Sequence, residues 1–290
     1  MIPSFERSLR AANKAPKTID TYSEAARQLL AFLREQGMPT EVAKINREHV
    51  ESFIEQLVAT KSPATANNRY RSLTSLFAFL VDFGEITVSP MAKMKPPRMP
   101  EQPAPVLSDR QIKALLATCE GSKALEDLRD LAVLRLFIDS GMRLSELTNL
   151  TVHDVDLDDR EATVMGKGRK PRRCKFGAKT ATALDRYMHA RARSHWAADT
   201  DALWIGNRGA MGTPGIRSIV ERRAKQAGIE GVHAHLFRHY FSHQHLANGG
   251  SETDLMRLNG WKSREMVARY AASTGVQRAV DNYKSPGDRL

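Results

Sequence analysis

Residues 233–245 read HAHLFRHYFSHQH, and the spacing of the charged side chains in this stretch says most about the chain. His235 and Arg238 are three residues apart, so on a helix both face the same way and can contact one anion. His235, His239 and His243 are spaced by four, which would also let one helical face hold a metal. The carboxylate or cysteine that usually completes such a site is missing, so the sequence predicts an anion site and no metal.

A second group of interest is GMRLSEL at residues 141–147. A glycine ends one helix there, and Arg143 comes three residues before Glu146 at the start of the next. That spacing places the carboxylate where it can orient the guanidinium. Taken alone, the same pattern is also typical of a routine surface ion pair.

The third group is GKGRKPRRCK at residues 166–175, with six basic residues and no acid. Two glycines flank Lys167, which predicts a lysine at the tip of a hairpin between two strands. Such a hairpin could be a solubilising turn or could contact a nucleic-acid backbone.

The composition favours a nucleic-acid partner. The chain has 290 residues, 44 Lys and Arg against 33 Asp and Glu, and a formal net charge of +11, which favours polyanions. Its hydrophobic content of 41% allows buried cores and argues against disorder. The two cysteines are too few for a disulfide framework. We find no signal peptide and no apolar run of roughly 18 residues, and we expect a cytoplasmic protein with no membrane partner.

Proline content divides the chain. Residues 89–105, SPMAKMKPPRMPEQPAP, hold six of the thirteen prolines and predict an extended linker. Residues 1–88 show three amphipathic helical patterns and predict an all-helical domain. Residues 106–290 mix helical patterns with short β-branched runs at 152–176, so we predict a mainly α protein with one small antiparallel β-sheet.

Basic and amide side chains gather near the start of the third N-terminal helix, where a helix N-terminus also suits phosphate. For any single residue, a solvated surface charge remains the alternative. The predicted DNA-backbone contacts are Lys61, Asn67, Arg69 and Arg71 in this cluster, and Arg169, Lys170, Arg172 and Arg173 in the basic hairpin.

The order of these groups, followed by LNGWKSREMVARY at residues 258–270, resembles the tyrosine recombinase (phage integrase) family over essentially the whole chain. The resemblance implies a helical SAM-like core-binding domain and a mixed α/β catalytic domain, without a separate arm-binding domain. The catalytic residues that it implies are Arg143, Lys167, His235, Arg238, Trp261 and Tyr270, with Glu146 and His239 in support. Trp261 stands where the family usually has histidine, and Phe237, Asn259 and Ala272 are further departures, none of which removes a catalytic group.

The family's reaction joins DNA to the enzyme through a 3′-phosphotyrosyl bond, and the matching nucleophile in this chain is Tyr270. Two arginines can hold the scissile phosphate and stabilise the charge that builds on it. His235 is suited to proton transfer, and Lys167 is the expected general acid for the leaving 5′-oxygen. Because the intermediate stores the energy of the broken bond, we expect no cofactor. Tyr283 is also C-terminal, but it comes twenty-two residues after Trp261 and lies outside the motif.

The resemblance implies core-type attachment sites on double-stranded DNA as the substrate, in a bacterial host cell. It also implies self-association on DNA, as a dimer on each site and a tetramer in synapsis, with an accessory directionality protein as a further partner. We expect phage or prophage integration and excision, with Xer-like dimer resolution as the alternative. Two other interpretations stay open, namely a DNA-binding protein without catalytic activity and a type IB topoisomerase.

Overall fold

The computed structural model describes residues 1–98, 105–166, 171–261 and 263–268. The chain forms two compact units, Met1–Gln102 and Pro103–Leu290. The prediction of a mainly α protein with a small antiparallel sheet is confirmed. Within the described ranges, no helix is long and apolar enough to cross a membrane.

Residues 1–98 form four α-helices: α1 Ile2–Ala11, α2 Pro16–Glu35, α3 Arg47–Thr60 and α4 Pro63–Asp82. Side-chain caps define two of the starts, because Asn46 accepts a hydrogen bond from the backbone N–H of His49 (3.1 Å) and Ser62 accepts one from Thr65 (3.2 Å). Such caps satisfy donors that have no partner inside the helix. Apolar faces of all four helices meet in one core.

Helix α1 is an addition to the three helices that the sequence predicts. Phe5 and Leu9 lie one turn apart and are both buried in the core of this unit. Asn13 has a φ of +53°, a left-handed conformation that asparagine tolerates better than most residues. The helix is only ten residues long, and its apolar residues Ile2, Phe5 and Leu9 fall before the first pattern that the sequence predicted.

The first part of the predicted linker packs onto the helical unit. Met91 is 5% exposed within its core. The Tyr70 hydroxyl donates to the carbonyl of Met94 (2.8 Å), and the Asn67 amide donates to the carbonyl of Pro97 (3.2 Å). Residues 89–98 are therefore held by side chains of α4, while 99–104 lie outside the described residues.

The second unit contains most of the elements. Its helices are α5 Asp109–Ala117, α6 Leu125–Ser140, α7 Leu144–Thr148, α8 Ala178–Ala192, α9 Thr213–Gln226, α10 Ala234–Ala247 and α11 Glu252–Asn259. Its strands are β1 Val155–Asp156, β2 Glu161–Met165, β3 Pro171–Lys175, β4 Ile205–Gly206 and β5 Gly209–Ala210. Residues 264–268 are helical. The two-residue strands β4 and β5 are too short for their pattern to be read in the sequence.

The three-stranded sheet is antiparallel with the order β1-β2-β3. Its register places Ala162 opposite Cys174 and Val164 opposite Arg172. Because side chains alternate along a strand, Arg172 and the buried Cys174 share one face of β3, whereas Arg173 and Lys175 share the other and are exposed. One of the basic residues of the hairpin motif therefore faces the protein interior.

Helices α6 and α10 position the site. Phe137 of α6 stacks on Phe237 of α10 with ring centroids 5.6 Å apart, and both side chains are fully buried. Gly141 ends α6 with a φ of +57°, as its sequence context predicted. A Cβ at this position would lie 2.5 Å from Cδ1 of Phe241, so both the backbone and α10 require glycine.

Candidate active site

Arg143 is fixed by the acid that the sequence paired with it. It precedes α7 directly, and its backbone N–H donates to Oε2 of Glu146 (2.7 Å), which caps the helix. Its guanidinium Nη1 donates to Oε1 of the same carboxylate (2.7 Å). The Arg143 side chain is 36% exposed and that of Glu146 only 3%. A buried carboxylate therefore orients an arginine that still reaches the surface.

Glu146 also holds a second arginine. Nη2 of Arg172, from β3, donates to Oε2 of Glu146 (2.7 Å). Burial by itself raises the pKa of the Glu146 carboxyl, but the hydrogen bonds and charges of Arg172 and Arg143 outweigh it and leave the pKa lowered. The carboxylate is therefore ionised at neutral pH and bound by two guanidinium groups.

Arg238 is buried in the helix that the histidine motif predicted. Its residue exposure is 1%, and its Nη1 donates to the carbonyl oxygen of Gly141 (2.8 Å). Its Nη2 donates to the carbonyl oxygen of Asn259. Gly141 is two residues from Arg143, so the two arginines of the sequence motif lie at the same end of α6.

Trp261 covers Arg238. The guanidinium carbon lies 5.3 Å from the centroid of the Trp261 ring, which is a cation–π contact. The indole is 9% exposed and packs with Leu246, Leu255 and Val267 in a small separate core. Trp261 thus orders the segment that leads from α11 into helical residues 264–268. Val267 of that helix is the buried residue nearest in sequence to Tyr270, which itself lies outside the described residues.

Two histidines of α10 face the same region. The rings of His235 and His239 have centroids 4.4 Å apart in a T-shaped contact. Withdrawal from water lowers the pKa of His235, and the charges of Arg238, His233 and Arg143 lower it further. The charges of both arginines therefore act on the same imidazole. Among the residues that the structure describes, no three His, Cys, Asp or Glu side chains converge as metal ligands would.

Burial, together with His235, His233 and Arg238, lowers the pKa of His239 to about 4 from an ordinary 6.5. Between these values the unfolded chain binds a proton that the folded chain does not, so the free energy of unfolding falls as pH drops through this window. Wild-type protein should lose free energy of unfolding between pH 7 and pH 5, and we expect His239→Gln to make that loss about 1–2 kcal/mol smaller. Urea unfolding at both pH values measures it. An unchanged slope in His239→Gln would contradict the assignment.

The basic hairpin contains both internal and exposed arginines. The Arg172 side chain is 12% exposed and bonded within the protein, while its role as a DNA contact stays a prediction. Its alternation with the buried Cys174 was a signal for this burial in the sequence. Arg173 is 75% exposed, with a loose ion pair to Glu161 at 3.4 Å. The predicted residues Lys167, Arg169 and Lys170 lie outside the described residues.

The N-terminal cluster also divides. Lys61 and Arg71 are exposed on the helical unit. Asn67 donates its side-chain amide to Pro97, and Arg69 donates Nε to Oε1 of Gln28 (2.8 Å). These two side chains have partners within their own unit, so the structure leaves Lys61 and Arg71 as the better candidates for a DNA backbone.

Comparisons with known proteins show the family of the chain. Residues 105–275 match the model of the phage integrase family, and residues 1–82 match that of the phage integrase N-terminal SAM-like domain. The chain is 35% identical to tyrosine recombinase XerC of Corynebacterium efficiens, over 79% of this chain and 73% of that protein. It is 31% identical to XerC of Chromohalobacter salexigens, over 87% and 84%.

Solved structures share the fold at low identity. The XerH site-specific recombinase bound to a palindromic difH substrate superposes with a TM-score of 0.78 at 18% identity, covering 97% of this chain and 84% of that one. A lambda integrase dimer on a COC′ core site gives 0.71 at 16% identity, covering 92% and 93%. Fold and family together define a site-specific tyrosine recombinase. The chain belongs to the phage integrase family.

Proposed function

We propose that Tyr270 is the nucleophile with which this recombinase cuts and rejoins DNA. Its phenolic oxygen forms a bond to the scissile phosphorus, and the bond from phosphorus to the 5′-oxygen breaks. The product is a 3′-phosphotyrosyl linkage and a free 5′-hydroxyl. The phenolic proton passes to a neutral imidazole, and the leaving oxygen takes a proton from Lys167. Attack by another 5′-hydroxyl reverses these steps, so the cycle consumes neither nucleotide nor metal.

The observation that carries the proposal is the placement of two arginines near the end of α6: Arg238 donates to the Gly141 carbonyl, and Arg143, two residues later, is held by Glu146. Two permanent charges near one phosphate stabilise the additional negative charge of its pentacoordinate state. Arg143, partly exposed and oriented by Glu146, takes the direct contact with the phosphate. Arg238 supplies a second positive charge from beneath Trp261.

His235 is the imidazole that takes the proton from Tyr270. It lies on α10 three residues before Arg238, and its lowered pKa favours the neutral imidazole at physiological pH. A neutral imidazole can accept a proton, whereas an imidazolium cannot. His239 packs against it and restricts its ring, and Trp261 donates its indole N–H toward a phosphate oxygen when DNA is bound.

A nicked duplex tests the reaction directly. The binding site is first selected from a random-sequence duplex library, and a nick is then placed beside the cleavage position so that the released 5′ fragment diffuses away. The recombinase should give a DNA adduct that survives SDS. A protein that binds the site without an adduct would be a DNA-binding protein only. Relaxation of supercoiled DNA lacking the site would identify a topoisomerase.

The biological role follows from where the site lies. If the protein integrates and excises a phage genome, which is the first expectation, its DNA site lies beside the recombinase gene. Xer-like dimer resolution does not require this position. The similarity to XerC proteins favours the second role. Footprinting on the DNA that flanks the gene decides between them: a protected repeat there supports integration, and its absence supports dimer resolution.

We further propose that the protein binds each site as a dimer and joins two sites as a tetramer, in the cytoplasm of a bacterial host cell. An accessory directionality protein belongs to the integration role. Exposed Lys61, Arg71 and Arg173, together with Arg169 and Lys170, supply the contacts with the DNA backbone. Since each such contact releases counterions, binding should weaken steeply with salt.

A further inference from the structure

Arg172 makes contacts that a DNA-binding arginine would not make. Its Nη2 donates to Oε2 of Glu146 (2.7 Å), and its Nη1 donates to Sγ of Cys174 (2.9 Å) and to the carbonyl oxygen of Leu258. One guanidinium thus joins β3, the first turn of α7 and the last turn of α11. All three of these contacts are internal, and only 12% of the side chain is exposed.

The contact with Glu146 places Arg172 one step from the phosphate-binding arginine. Each oxygen of the Glu146 carboxylate has its own role: Oε1 holds the Arg143 guanidinium, and Oε2 holds both the Arg143 backbone N–H and Arg172. Without Arg172, the carboxylate has partners on Arg143 alone and can turn with it. Arg172 therefore fixes the group that fixes Arg143.

The contact with Leu258 reaches the other half of the site. Leu258 precedes Asn259, whose carbonyl accepts from Arg238, and Trp261 follows two residues later. Arg172 also lies in the strand that leaves the hairpin of Lys167. Arg172 thus links β3, the Glu146 carboxylate that orients Arg143, and the segment whose Trp261 covers Arg238.

Stability alone does not explain this placement. The Nε of Arg172 is buried, and it has no hydrogen-bond partner within the described part of the chain. A buried charge with an unsatisfied donor is a poor stabilising device, since apolar residues of similar volume often do as well or better. The contacts are better explained by the orientation that they impose on the site.

We propose that Arg172 is a positioning residue, acting through Glu146 on Arg143 and through Leu258 on the segment that carries Trp261, and that it does not bind DNA. The proposal rests on the proposed function, because it assigns Arg143 to the scissile phosphate. It replaces the sequence-based prediction that Arg172 contacts the DNA backbone.

Measuring both cleavage and DNA affinity distinguishes a positioning role of Arg172 from a DNA contact. On the nicked duplex at saturating protein, we expect Arg172→Met to slow adduct formation about 10- to 100-fold, with DNA affinity within twofold of wild type. The dependence of affinity on salt should not change. If Arg172 contacted a DNA phosphate, Arg172→Met would instead reduce the slope of log K for DNA binding against log salt concentration by about 0.9. That result would overturn the proposal. Lys175→Met is the matched control: it removes the same charge from the exposed face of β3 and should cleave as wild type does.

A double-mutant cycle separates positioning from a merely structural effect. Because Arg172 acts on Arg143 through Glu146, the rate loss of Glu146→Gln combined with Arg172→Met should be smaller than the product of the two single losses. Rate losses that multiply would overturn the proposal. Arg172→Lys keeps the charge with fewer directed donors and should give an intermediate rate, and it decides the question if Arg172→Met does not fold. Wild-type protein without an adduct would refute the proposed function itself, whereas an adduct that forms equally fast in the Arg172 variants would refute only this inference.

Discussion

Tyr270→Phe should abolish covalent attachment to DNA, with adduct formation at least about 10⁴-fold slower than wild type, while the protein still binds its site. The change removes one oxygen atom, the only atom of the side chain that can attack phosphorus. The aromatic ring remains, so we expect no loss of folding. Adduct formation on the nicked duplex and a gel-shift affinity on the same duplex measure the two effects.

Other tyrosines are poor substitutes for Tyr270. The hydroxyl of Tyr187 donates to the Leu203 carbonyl, and burial raises its pKa to about 12. The hydroxyl of Tyr240 donates to Asp109, and burial followed by that carboxylate raises its pKa to about 12. Tyr283→Phe is the matched control because it makes the same change thirteen residues further on, and it should keep wild-type cleavage. Full adduct formation by Tyr270→Phe would contradict the assignment.

Arg143→Gln should slow cleavage by about 10²- to 10³-fold, equivalent to about 3–4 kcal/mol of transition-state stabilisation, and lower the melting temperature less than Arg238→Gln does. The side chain is partly exposed, and Glu146 keeps Arg172 as a partner. Glutamine can still donate hydrogen bonds but brings no charge to the phosphate. The measurements are single-turnover cleavage at saturating protein and thermal unfolding by circular dichroism.

Arg238→Gln provides the contrast. The charge of Arg238 is lost from the same site, so cleavage should fall by a similar factor. This arginine also donates to the buried carbonyls of Gly141 and Asn259, and unpaired buried acceptors cost roughly 1–3 kcal/mol each. The melting temperature should therefore drop further for Arg238→Gln than for Arg143→Gln. Equal melting temperatures, or wild-type cleavage in either variant, would contradict the roles of these two arginines.

Local spacing predicted much of this molecule. The three-residue spacing of Arg143 and Glu146 predicted their ion pair, and the position of Gly141 predicted the end of α6. The alternating run before Cys174 predicted the sheet. Each of these depends on residues close in sequence, where helix and strand periods decide which side chains meet. The order of the motifs then indicated the family.

Contacts between distant segments could not be predicted in the same way. The carbonyls that hold Arg238 come from Gly141 and from Asn259, and a backbone acceptor leaves no mark in a residue pattern. Arg172 sat among basic neighbours, so its charge indicated DNA, while its partner Glu146 lies 26 positions earlier. Its alternation with the apolar Cys174 was the local signal, and the strand register shows that it turns inward.

Mapping the site of covalent attachment tests the central claim most directly. After reaction with the nicked duplex, nuclease digestion leaves a nucleotide on the attacking residue, and trypsin separates the two C-terminal tyrosines. Tyr270 falls in YAASTGVQR, residues 270–278, and Tyr283 falls in AVDNYK, residues 279–284. The account predicts the nucleotide on the first peptide, through a phosphotyrosyl bond. Its presence on AVDNYK or on any other peptide, or an unmodified digest from protein that binds the site, would contradict it.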